Sequence, residues 1–168
     1  MTDQRESLLP EELTALARRV IEENAAAGRK VAVAESCTGG LVAAALTEIA
    51  GSSDVLDRGF VTYSNEAKQE LLGVSPDIID TFGAVSIACV WAMAQGALKH
   101  SQADVSVAIS GIAGPGGGSR EKPVGTVVFA KAVRGEEEST SEEKHFEPGT
   151  RAEVRLQAAL VALELLLP

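Results

Sequence analysis

The stretch from Lys30 to Gly40 constrains the fold of this chain more than any other. Val31 and Val33 lie in a short apolar run, the pattern of a strand buried on both faces. The chain then turns sharply through Glu35, Ser36, Cys37, Thr38, Gly39 and Gly40, and helical spacing resumes at once with Val42, Leu46 and Ile49 between Leu41 and Ala50. A strand that feeds a helix through a glycine turn is the building unit of a layered α/β protein.

The unit recurs along the chain. Ahead of it, Leu13, Leu16, Ala17, Val20 and Ile21 predict an amphipathic helix from Pro10 to about Ala27. After it, Gly59 to Tyr63 reads as a strand, Ser64 or Asn65 as the cap of a helix, and Gly73 as its end. A short polar segment surrounds Pro76. Ser86 then caps a helix whose face carries Ile87, Val90, Trp91, Ala94 and Leu98. Asp104 to Ser110 reads as a buried strand, Gly111 to Pro123 as a long glycine- and proline-rich loop, and Gly125 to Val133 as another strand. The acidic run Glu136 to Glu138 marks a turn into a weaker strand, Glu142 to Phe146. Val154, Ala158, Val161 and Leu165 mark a closing helix. The expected fold is a three-layer α/β/α sandwich around a mixed sheet of about five strands, in a single domain spanning 1–168.

Bulk properties narrow the function. With 168 residues, 45% of them hydrophobic, the chain can bury a core without metal or disulfide staples. A formal charge of −9 with no basic run disfavours nucleic acid as a partner. No stretch approaches a membrane span, and Met1 to Glu6 carry charges rather than a leader's apolar core, so a cytoplasmic location is expected. Cys37 and Cys89 have no CxxC spacing and only His100 and His145 beside them, so a zinc site is not expected. Leu163, Leu165, Leu166 and Leu167 exceed what one helical stripe buries, which fits a homo-oligomer, a homodimer first, or a terminal helix packed deeply in its own core.

Three clusters can carry chemistry. Ser36, between a buried strand and a glycine-opened helix, sits where backbone N–H groups of Cys37, Thr38, Gly39 and Gly40 could steady an oxyanion or a phosphate; Ser36 or Thr38 could equally serve only as a helix cap. Tyr63, Ser64, Asn65 and Lys68 lie at a second strand exit, and such exits gather on one edge of an open α/β sheet. A serine needs a base. His100 ends a helix and His145 lies in a weak strand, which leaves Lys68, whose pKa burial and nearby positive charge can lower enough for the amine to accept the serine proton, with Tyr63 relaying the proton or orienting the amine. Serine–lysine hydrolysis needs no metal or organic cofactor. Taken alone, Lys68 also fits a solvated helix lysine. The third cluster, from Ser110 and Gly111 through Ala113 and Gly114 to Gly118, lets backbone approach a ligand closely and is not a Walker loop.

In this order the clusters resemble the family of CinA C-terminal domains, which includes stand-alone bacterial nicotinamide mononucleotide deamidases. The resemblance lies in Ala34-Glu35-Ser36-Cys37-Thr38-Gly39-Gly40, Val61-Thr62-Tyr63-Ser64-Asn65-Glu66-Ala67-Lys68, Gly83-Ala84-Val85-Ser86, Gly111-Ile112-Ala113-Gly114-Pro115-Gly116-Gly117 and Lys122-Pro123-Val124-Gly125-Thr126-Val127. It implies an α/β/α fold, a pyridine-nucleotide substrate, and Ser36, Tyr63 and Lys68 as catalytic positions. Arg151 and Arg155 match the family's Arg-x-x-x-Arg; one of them, with Arg151 preferred, is expected on the substrate phosphate. Ile87, Ser110 and Thr150 depart from the family's usual glutamate, threonine and aspartate. The large N-terminal domain that fused members of the family carry is not expected, and the chain is expected to work alone. Two rival expectations stand beside deamidation: a nucleotide-sensing regulatory domain without turnover, and an amidohydrolase for another small amide.

Overall fold

The structure, a computed structural model, describes residues 6–147 and 149–168; the first five residues, on which part of the leader expectation rests, lie outside them. Five strands form one mixed sheet in the order β2-β1-β3-β4-β5: β1 Val31–Glu35, β2 Leu56–Val61, β3 Val105–Gly111, β4 Thr126–Val133 and β5 Thr140–His145. β1 runs parallel to both β2 and β3, while β4 and β5 are antiparallel additions joined by the acidic turn.

The period-2 alternation of the strands divides the core between two faces. Val31 and Val33 of β1, Val105, Val107 and Ile109 of β3, and Phe129 of β4 face α1 (Glu11–Ala26), α2 (Leu41–Thr47) and α6 (Arg151–Leu166). Ala32, Ala34, Ala108, Ala130 and Ala132 face α3 (Asn65–Leu72), α4 (Pro76–Phe82) and α5 (Ile87–Lys99). Alanines on that second face let α5 lie close to the sheet, near enough for Ser106 Oγ to donate to the Ala94 carbonyl at 2.7 Å. The sandwich is therefore three-layered with a mixed five-stranded sheet.

Local chemistry sets the element ends. Ser64 accepts from Ala67 N and Ser86 from Cys89 N, as N-caps of α3 and α5, and Gly73 closes α3 in the left-handed region at φ 68°. Thr150 and Glu153 form a reciprocal capping box that fixes the first turn of α6.

Three elements differ from expectation. The segment around Pro76 is a helix, with Ser75 capping Asp77 N, Pro76 in its first turn and Ile79 buried. β2 starts at Leu56 rather than Gly59. As an edge strand it carries Asp57 and Arg58, whose side chains bond Gln102 N and the His100 carbonyl instead of a hydrophobic partner. α2 stops at Thr47, and a 3₁₀ turn at Ser52–Asp54 follows. The C-terminal leucines need no second copy: Leu163 and Leu166 are fully buried in this chain, and Leu165 and Leu167 pack against the same core. Among the described residues no helix is long and apolar enough to cross a membrane.

Candidate active site

Parallel strands β1 and β2 leave the sheet toward opposite faces, β1 into α2 and β2 into α3. Such a divergence opens a crevice at the carboxyl ends of the strands. Ser36 follows the last residue of β1; Lys68 is one turn into α3. Their meeting is a product of topology.

Lys68 Nζ lies 2.9 Å from Ser36 Oγ and donates to the carbonyls of Thr62 at 2.8 Å and Tyr63 at 3.1 Å. The side chain is 1% exposed. Burial lowers the pKa of the amine below its ordinary value; the nearby thiols of Cys89 and Cys37 push it the other way, and no neighbouring cation contributes to the lowering. A neutral amine has two N–H bonds and one lone pair. Two carbonyls take the first, and the lone pair is left for the serine hydroxyl.

The Ser36–Gly40 turn is held from two sides. Gly40, the N-cap residue of α2, sits at φ 100° and brings no capping side chain. The fully buried carboxylate of Glu35 reaches over instead: Val42 N donates to Oε1 at 2.9 Å and Ala43 N to Oε2 at 3.0 Å. The positive end of α2 is thus already matched by an internal anion, and what remains for an oxyanion is the turn itself rather than the helix terminus. On the outer side Arg155 donates through Nε to the Cys37 carbonyl and through Nη2 to the Thr38 carbonyl, both at 3.1 Å. Burial raises the Cys37 thiol to about 11, so it is neutral at physiological pH beside the serine. Thr38 Oγ1 is buried without a hydrogen-bond partner among the described residues.

A cavity of about 280 Å³ opens over the pair, lined by Ser36, Cys37, Tyr63, Asn65, Lys68, Ala84, Val85, Ser110, Gly111, Ala113 and Arg151. That volume is at the low end for small-ligand sites, which run from roughly 300 Å³ upward. Arg151 bridges its rim, donating to the Gly114 carbonyl at 2.8 Å and to the Tyr63 hydroxyl at 3.0 Å.

Of the residues singled out from sequence, the structure gathers Ser36, Cys37, Tyr63, Asn65, Lys68, Ser110, Gly111, Ala113 and Arg151 around one cavity. Thr38, Gly39 and Gly40 form the turn behind it. Gly114 joins the site through its carbonyl, and Arg155 lies outside the lining altogether. Tyr63 orients the amine with its main-chain carbonyl, while its phenol, in an exposed side chain, points to Arg151. Glu35, the Thr62 carbonyl, Ala84 and Val85 complete the site without having been expected there. The one sequence sign for Glu35 was a helix opening on glycine directly after a buried strand. Among the described residues no group of three or more His, Cys, Asp or Glu is placed to hold a metal ion.

Fold and cavity define a three-layer α/β protein with a buried serine–lysine pair at the carboxyl edge of its parallel strands. The CinA C-terminal domain family matches residues 13–168, and the chain belongs to that family. The nicotinamide-nucleotide amidohydrolase PncC of Enterobacter agglomerans is 55% identical over 139 residues, covering 83% of this chain and 84% of that protein. The protein of the same name from Escherichia coli K12 is 52% identical, covering 92% and 93%. A CinA-like protein of Mycobacterium avium is 53% identical over 83% of this chain, which spans 33% of that longer protein. Among solved structures, the competence/damage inducible protein CihA from Agrobacterium tumefaciens superposes with a TM-score of 0.92 at 52% identity, covering 95% of this chain and 96% of that one.

Proposed function

We propose that this chain is an amidohydrolase that converts nicotinamide mononucleotide to nicotinic acid mononucleotide and ammonia, acting as a single domain. Support comes from relatives of that name at more than 50% identity over most of both chains. The observation that carries the chemistry is the 2.9 Å approach of Lys68 Nζ to Ser36 Oγ, with two carbonyls holding the amine.

The neutral amine of Lys68 takes the Ser36 proton as Oγ attacks the carboxamide carbon. Negative charge develops on the carboxamide oxygen, and backbone N–H groups of the turn after Ser36 or of the Gly111 segment steady it. Lys68 returns the proton to the departing nitrogen, the C–N bond breaks, and ammonia leaves an ester on Ser36. Water, deprotonated by the same amine, cleaves that ester to the carboxylate and restores the serine. One amide and one water become one acid and one ammonia, with every proton handled by Lys68.

Arg151 is the proposed phosphate ligand, since it alone of the two arginines borders the cavity. Asn65, Ser110 and Ala113 shape the pocket for the pyridine ring and its amide. The proposal extends to a cytoplasmic homo-oligomer, the latter checked by light scattering.

Ammonia release from nicotinamide mononucleotide tests the whole. Ser36→Ala should lose about a thousand-fold or more in turnover if nucleophile and base work as a unit. Near-normal turnover by that variant, or tight calorimetric binding with no product from the unaltered protein, would reject it. Turnover of the dinucleotide and of free nicotinamide, measured alongside, separates the proposed substrate from other amides.

A further inference from the structure

On the basis of the deamidase reading, we propose that Arg155 is a positioning residue that sets the nucleophile's turn, and not a second ligand for the substrate phosphate.

Arg151 and Arg155 stand one helical turn apart on α6, so both project from the same side of the helix. The capping box of Thr150 and Glu153 fixes the helix start and with it where each guanidinium lands. Arg151 reaches the cavity rim, at Gly114 and Tyr63. Arg155 is half-buried behind the cavity, and its recorded hydrogen bonds are spent on two consecutive main-chain carbonyls, those of Cys37 and Thr38. A planar guanidinium can hold two acceptors in a fixed relation; a lysine ammonium on a flexible stem cannot.

The Thr38 carbonyl has a second donor, Leu41 N at 3.1 Å, and the Ser36 carbonyl accepts from Gly39 N at 3.0 Å. For the Cys37 carbonyl, Arg155 is the one donor recorded among the described residues. Because a peptide unit is planar, anchoring that oxygen restrains the Cys37–Thr38 plane, the second peptide after the nucleophile. With β1 holding the near side, Ser36 N donating to the Ile109 carbonyl at 2.9 Å, the two residues between, Ser36 and Cys37, have little freedom left. These two anchors set the serine's side of the Oγ–Nζ separation, as the Thr62 and Tyr63 carbonyls set the lysine's. The left-handed glycines at 39 and 40 make the anchor necessary, since they leave the turn few intrinsic preferences of its own.

The test compares Arg155→Ala and Arg155→Lys with the unaltered protein, using a fluorophosphonate probe to count competent Ser36 in each preparation. Turnover per labelled serine should fall about 10- to 100-fold, the scale of an ångström-level misplacement, with KM for the mononucleotide unchanged. The same factor should appear with the dephosphorylated riboside and in the labelling rate itself, and Arg155→Lys should behave as the alanine variant does. A rise in KM confined to the phosphorylated substrate, with turnover kept, would make Arg155 a phosphate ligand and overturn the proposal. So would wild-type turnover per labelled serine in a less stable protein, which would reduce Arg155 to a folding role. Labelling rates decide the matter even if the mononucleotide proves not to be the substrate, whereas absence of ammonia release by the unaltered protein rejects the deamidase reading alone.

Discussion

The β1–α2 turn and the loop after β3 border the same cavity and are built in opposite ways. In the turn, charged side chains match the backbone: Glu35 takes two amides of α2 and Arg155 holds two carbonyls. The loop, residues 112–125, is tied to the cavity rim through the Gly114 carbonyl and Arg151, and it gains its shape from small residues. At Gly114, with φ 84°, a Cβ would come within 2.5 Å of Val124 Cγ1. A nucleophile requires a fixed position to a fraction of an ångström, and buried ionic hydrogen bonds supply it. A surface that receives substrate requires access, and side-chain-poor backbone supplies that.

Outside the Ser36–Lys68 pair and Arg155, the largest effect should come from the rim. Arg151→Ala should raise KM for the mononucleotide about 10- to 100-fold, the worth of roughly 1.5–3 kcal/mol for a hydrogen bond to a charged group, with turnover at saturation nearly kept. Equal loss on the dephosphorylated riboside would break the contrast between rim and turn. A smaller effect, on stability, should come from Glu35→Gln. A carboxamide offers one acceptor oxygen where the carboxylate offers two, and its NH₂ would face a helix amide. Loss of about 1–3 kcal/mol in denaturant unfolding is expected, the cost of a buried donor left unmatched. An unchanged midpoint would mean that α2 is held by packing alone.

Much of this organisation was legible in the sequence because strand exits, caps and glycine turns are local signals. Ser64, Ser86 and Gly73 mark their helix ends by chemistry that needs no tertiary context. The adjacency of Ser36 and Lys68 followed from how open α/β sheets gather their exits. Other features depend on the third dimension. Pro76–Phe82 buries little beyond Ile79 and gains its helix from packing on α5, so its sequence looks polar. Glu35 reads as a turn residue until the amides of α2 are seen to converge on it. Arg151 and Arg155 are indistinguishable by spacing; the rotation of α6 over the sheet sends one to the rim and the other to the turn. The leucines at the end of the chain fit either a second copy or deep burial by spacing alone; the coverage of α6 by both α1 and the sheet accounts for their burial within this chain.

Everything rests on Lys68 being a neutral base at working pH. Burial lowers its pKa, so the reactive, deprotonated amine is lost as pH falls through that value and regained as pH rises, giving an acid limb below the ordinary lysine range. The direct measurement is single-turnover ammonia release from nicotinamide mononucleotide across pH for the unaltered protein and Lys68→Ala. An acid limb is expected in the former, and in the variant a rate at least about a thousand-fold lower with that limb gone. An acid limb of the same position and comparable rate in Lys68→Ala would contradict that role for Lys68.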